Sequence, residues 1–112
     1  MRWFSVRDSH PRLFEPLVLR SRRARNRVVM PPMVTNMGVT TEQARAYYAE
    51  RARGGVGTVI VEAVQVRLFA GELSPALMRP LARCIHDAGA LAVVQLIVQD
   101  RVSAESDGLG PS

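Results

Sequence analysis

Val28–Gly38, VVMPPMVTNMG, begins as a buried strand and then stops being one. The apolar run Val28-Val29-Met30 meets Pro31-Pro32, and proline has no N–H to offer a sheet ladder. A strand here ends at about Met30. Beyond the corner stand Met33, Val34 and the polar pair Thr35-Asn36, all uncharged. What a rigid corner of this kind serves depends on how the other strands of the chain end.

Those strands follow at a regular interval. Thr40-Thr41-Glu42-Gln43 has capping-box form, which predicts Thr40 as N-cap with Gln43 at the third helical position. Ala44, Tyr47, Tyr48 and Ala52 then share one helical face, and Gly54-Gly55 closes the helix. Thr58–Glu62 reads as a β-branched strand. A longer connection, Gln65 to Leu73, leads to Ser74-Pro75, an N-cap followed by an N1 proline. Leu77, Met78, Leu81 and Ile85 form the second helical stripe, stopped by Gly89. Leu91–Leu96 is the third strand, and the remaining residues, polar with Gly and Ser, show no further element.

Val28, Thr58 and Leu91 lie about 30 residues apart, the length of a βαβ unit. Strands that are apolar without alternation belong to a parallel sheet covered on both faces. The fold class is therefore α/β with right-handed crossovers, either a doubly wound sheet or a (β/α)8 barrel. The glycines of GGVG, Gly54–Gly57, follow a helix and precede a strand, the reverse of a dinucleotide-binding turn. No GxGxxG or P-loop pattern occurs.

In both folds ligands sit at the carboxyl ends of the strands. Here those ends offer Pro32-Met33-Val34-Thr35, Glu62-Ala63 and Gln95-Leu96. A proline-fixed backbone, a small residue and one neutral amide suit a flat heterocycle with a polar edge. The same residues also read as a satisfied core amide at Gln95 and a plain strand-end charge at Glu62. Spacing alone leaves both open.

Composition narrows the field of functions. The 112 residues have the apolar and charged content of an ordinary globular domain, with no run long enough to span a membrane and no apolar leader. The single Cys84 excludes an intrachain disulfide, and a cytoplasmic location is the expectation. All fifteen basic residues are arginine. Residues 1–27 hold eight of them against Asp8 and Glu15, whereas residues 28–112 are slightly acidic. The densest run, Arg20–Arg27, reads first as a solvated strand or hairpin; an Arg-rich nucleic-acid-binding segment is the alternative reading, weakened by the lack of interleaved aromatics or a recognition motif. Cys84 and His86 are two apart on a helix and cannot share a metal, so no metal site is expected. Ser74, His86 and Asp87 lack a nucleophile-elbow pattern. Tyr47 and Tyr48 read as helix packing, Glu50 and Arg53 as solvated charges.

The blocks LFEPL, VLRSRRARNRVVMPPMVTN, YYAERARGGVG, TVIVEAVQV and HDAGALAVVQL stand in one order from about Leu13 onward. Together they resemble the Old Yellow Enzyme family of FMN-dependent oxidoreductases. The resemblance implies the N-terminal βαβαβ portion of a (β/α)8 TIM barrel, incomplete in this chain, because a full barrel takes about 250 residues. It divides the chain into a basic N-terminal extension or hairpin, 1–27, and the first three strands and two helices, 28–112. It implies FMN at the carboxyl face, NAD(P)H as electron donor and an enone-type acceptor with an activated C=C bond. By position, Pro32, Met33 and Val34 match the segment lying along the flavin ring, Ala63 the small residue after strand two, and Gln95 the glutamine on the pyrimidine edge.

Val34 replaces a Thr or Cys of relatives and removes a side-chain hydrogen bond to the flavin. Val98 and Asp100 stand where the family often has His and Gly, while Arg101 is kept and is the candidate substrate-side residue. The substrate-anchoring pair, the proton donor and the phosphate site would lie outside these residues, so no catalytic residue is assigned and the isolated chain is expected to be inactive. A three-stranded sheet leaves open edges, which predicts a homo-oligomer or a partner supplying strands.

Overall fold

The apolar runs become three short parallel strands joined by two helices. The structure, a computed structural model, describes residues 6–65 and 74–98. The greater part of the Gln65–Leu73 connection, and the segment carrying Asp100 and Arg101, lie outside the described residues. In chain order the elements are α1 (Val6–Ser9), a 3-10 turn (Pro11–Phe14), β1 (Leu17–Leu19), β2 (Arg22–Ala24), β3 (Val29–Met30), α2 (Glu42–Arg53), β4 (Thr58–Gln65), α3 (Pro75–Asp87) and β5 (Leu91–Ile97).

The arginine-rich segment is a hairpin. β1 pairs antiparallel with β2, Leu17 opposite Ala24 and Leu19 opposite Arg22, about the two-residue turn Arg20-Ser21. β3, β4 and β5 form a separate parallel sheet in sequence order. Two crossovers of one hand, taken in one direction, put their helices on one face. Accordingly α2 packs on α3, and Tyr48, Ala52, Leu81 and Ile85 share a core with Met30, Val59, Val61 and Val64.

Covering is one-sided, against the expectation of a sheet covered on both faces. Side chains alternate along a strand, so Val29, opposite Thr58, and the pair Ile60–Val93 share the face turned away from the helices. Among the described residues nothing covers its ends: Val29 is 47% and Val93 45% exposed. Strand order without reversal and helices on a single face are the arrangement of a barrel wall. The described residues form part of such a wall and no closed barrel.

The helix α2 starts one residue later than its sequence predicts. Thr41, not Thr40, is the N-cap, and its Oγ1 accepts from the Ala44 N–H at 3.1 Å. The same hydroxyl donates back to the Gly38 carbonyl, at 2.7 Å, in a turn where Gly38 has φ +83. That turn sets the register, so Gln43 falls at the second helical position and closes no capping box. Ser74 stands at the N-cap of α3, but its side chain makes no capping bond.

Candidate functional site

At the carboxyl end of the sheet the chain leaves β3 through Pro31 and Pro32, with Pro32 half-buried and Met33 and Val34 exposed. The next residue is fastened. Thr35 donates its N–H to Glu62 Oε2 at 2.9 Å and its hydroxyl to Glu62 Oε1 at 2.6 Å, and Thr35 Oγ1 accepts the Met37 N–H at 3.2 Å. Glu62 is only 5% exposed. Burying a carboxylate without partners costs several kcal/mol or more. Here three donors meet it, the third being the Tyr48 hydroxyl at 3.3 Å.

Tyr48 is fully buried on the inner face of α2. Its hydroxyl also accepts the Glu62 N–H at 3.0 Å. Burial pushes its pKa up to about 12; the Glu62 N–H pulls the other way, and the nearby Glu62 charge adds to the rise. Tyr48 thus remains a neutral hydroxyl, able to donate and accept at once, throughout the physiological range. Every buried side-chain polar atom among the described residues has a partner.

Glu62 sits at a break in the ladder. Val61 pairs with Val94 and Val64 with Leu96, so Glu62 and Ala63 together stand opposite Gln95. This is a β-bulge, a device that re-aims side chains at the end of a strand. It sets half-buried Ala63 against exposed Gln95, and Gln95 continues the Val93 row on the open face. Through the Thr35–Glu62 bonds, residues 32–34 are held at the same end. Of the residues singled out by sequence, Pro32, Met33, Val34, Ala63 and Gln95 therefore gather at the carboxyl ends of adjacent strands. Arg101 lies outside the described residues.

Sequence reasoning missed the carboxylate and its partners. Glu62 is a buried anchor and more than a plain strand-end charge, and Tyr48 is more than packing. A charge closing an apolar strand, TVIVE, was the available signal; its partners stand 27 and 14 residues away.

The opposite end of the sheet is built for stability. Arg25 donates through Nη2 to the carbonyls of Ala52 and Val56, through Nε to Val56 and through Nη1 to Ala88. One guanidinium thereby serves the last carbonyls of both helices, where a cation also meets the negative dipole ends. Asn26 donates from Nδ2 to the Gly55 carbonyl at 2.6 Å and accepts the Val28 N–H at 3.0 Å. A methyl on Gly57 would stand 2.5 Å from Asn26 Oδ1 and nearer still to its backbone oxygen, so only glycine admits this approach. Arg27 forms a loose, exposed ion pair with Glu15 at 3.8 Å. The arginine run is thus partly a structural bolt.

An apolar recess of about 120 Å³ lies between α3 and β5, lined by Met78, Leu81, Ile85, Val94 and their neighbours. It offers no polar group to orient a ligand. Among the described residues no cluster of three or more His, Cys, Asp or Glu could hold a metal, and no helix is long and apolar enough to cross a membrane.

Parallel strands in sequence order with both helices on one face, and polar groups gathered at the carboxyl ends, are the arrangement of part of a (β/α)8 wall. The chain belongs to the NADH:flavin oxidoreductase / NADH oxidase family, whose model matches residues 12–109. It is 36% identical to an NADH oxidase of Thermoanaerobacter brockii, aligning 77% of this chain with 16% of that protein. It is 38% identical to an NADPH dehydrogenase of Listeria monocytogenes, covering 76% of this chain and 30% of the relative. Among solved structures it resembles the old yellow enzyme of Trypanosoma cruzi (26% identity, TM-score 0.60, 83% of this chain and 28% of that one). It also resembles the old yellow enzyme homologue of Zymomonas mobilis (32% identity, TM-score 0.58, 77% and 28%). These neighbours are TIM-barrel enzymes. The chain spans less than a third of the length of each.

Proposed function

We propose that this chain is the N-terminal part of an FMN-dependent NAD(P)H oxidoreductase acting on activated C=C bonds of enone-type acceptors. Pro32, Met33 and Val34 form a shelf along the ring, Ala63 allows close approach, and Gln95 meets the pyrimidine edge. Family membership, which implies a flavin and a nicotinamide, supports the cofactors. The observation that carries the residue assignment is the bulge that sets Ala63 against Gln95, beside the loop held by Glu62.

The donor set fits the group. A carboxamide offers both N–H and C=O to an edge of alternating donors and acceptors. Met33 and Val34, 51% and 68% exposed, present an apolar surface to a flat ring. Val34 brings no side-chain donor, so hydrogen bonding from this segment falls to the backbone. FMN when bound supplies the hydride-transfer chemistry; this chain's residues bind and orient it.

The test is an FMN titration of the 112-residue chain, followed by flavin fluorescence and absorbance, with Gln95→Ala alongside. Saturable binding that weakens about tenfold in the variant, the loss of a buried hydrogen-bonding pair, supports the shelf. No binding, or equal binding by both proteins, refutes the residue assignment for this chain.

A second reading has its own observation. The exposed valines of the open face favour a chain that functions as an assembly piece, joined by a second copy or by a partner that supplies strands. Of the arginine run, Arg25 is bonded to carbonyls at the base of the sheet, so that side chain is committed to the fold.

A further inference from the structure

We propose that Glu62, backed by Tyr48, is a positioning residue that sets the Pro32–Val34 loop through Thr35. The inference rests on the shelf reading of that loop. A double proline fixes φ at two residues, but it does not fix where the following residues lie relative to β4. Two bonds from one side chain do so. Glu62 takes both the N–H and the hydroxyl of Thr35, and the Met37 N–H closes onto the same threonine oxygen. A carboxylate accepts at both oxygens and carries charge to both bonds; an amide of the same size can accept the Thr35 N–H only at its oxygen, with its NH2 turned to the threonine hydroxyl, and the charge that strengthens both bonds is gone.

The carboxylate is itself held. Tyr48 donates to Oε1 and receives the Glu62 N–H, which ties the bulge to α2. Burial excludes water from these bonds and strengthens them. The chain of contacts therefore runs from helix to bulge to loop, and ends one residue from Val34. Nothing in it needs a charged partner: neither ion pair among the described residues involves Glu62.

A purely structural hydrogen bond would lower stability everywhere alike. A positioning role acts on one loop and on what the loop holds. The experiment compares wild type, Glu62→Gln, Thr35→Val and Thr35→Ser in the full 112-residue chain. Amide hydrogen exchange is read at position 35 and at the core positions 59 and 85, and FMN affinity and absorbance are measured on the same samples. Thr35→Val keeps the shape of a half-buried loop residue and spares the core, so it reports even where Glu62→Gln folds poorly.

Exchange at position 35 should quicken about tenfold in Glu62→Gln and Thr35→Val, with positions 59 and 85 unchanged and the FMN Kd raised about tenfold. Thr35→Ser, which keeps both donors, should match wild type. Unchanged exchange at position 35, or equal quickening of loop and core, overturns the proposal. So does an unaltered FMN Kd where wild type binds. If wild type binds no FMN, the shelf reading falls by itself. Exchange alone then decides whether Glu62 sets the loop: loss confined to position 35 supports it, and uniform loss overturns it.

Discussion

Glu62 and Tyr48 show how one buried carboxylate is made tolerable, by supplying it with donors in place of a counter-ion. The pairing has a pH signature at Tyr48. Its hydroxyl is raised from 10.0 to about 12 in the folded chain, so the stability it contributes is complete below pH 10 and is lost as pH rises through about 12. The chain contains no lysine, so the alkaline limb above pH 10 falls chiefly to Tyr48. Urea midpoints between pH 9 and 12 should therefore fall in wild type. The fall should be shallower in Tyr48→Phe, and parallel curves would contradict the assignment.

At the scale of elements, the fold rests on its ends. α2 is started by Thr41 and α3 by Pro75, and both helices finish against one side chain, Arg25. Glycines with positive φ, Gly55 and Gly89, turn the chain out of each helix at the same place. Arg25→Met keeps much of the side chain's bulk and removes every donor. It should destabilise the chain by about 2 kcal/mol, since cation–carbonyl bonds and two helix dipoles are lost together. Chemical denaturation reads the effect, and a change below about 0.5 kcal/mol, ordinary for a surface residue, would show the bonds to be dispensable.

For the molecule as a whole, the decisive feature is the sheet's open face. Val29 and Val93 stand half-exposed on the same face as Ile60, and among the described residues β3 and β5 are both edges. Unpaired edges and contiguous apolar surface favour association. Sedimentation velocity should show concentration-dependent self-association of the 112-residue chain, diminished in Val93→Glu. A sharp monomer peak with cooperative thermal unfolding would contradict this.

The sequence by itself determined the order of elements and the end of the sheet where polar groups collect. Both follow from local chemistry: proline ends β3, β-branched runs make β4 and β5, and glycines stop the helices. The family blocks were equally legible, because they are linear. Only the tertiary structure decided which residues act on one another. Glu62 meets Thr35 across 27 residues and Tyr48 across 14, while Arg25 reaches Ala88 across 63. Those pairings depend on how the crossovers lay helices on one face and on the bulge opposite Gln95, and neither leaves a periodic mark. The same reason moved the N-cap from Thr40 to Thr41. Both threonines satisfy the local rule, and the turn at Gly38 chose between them.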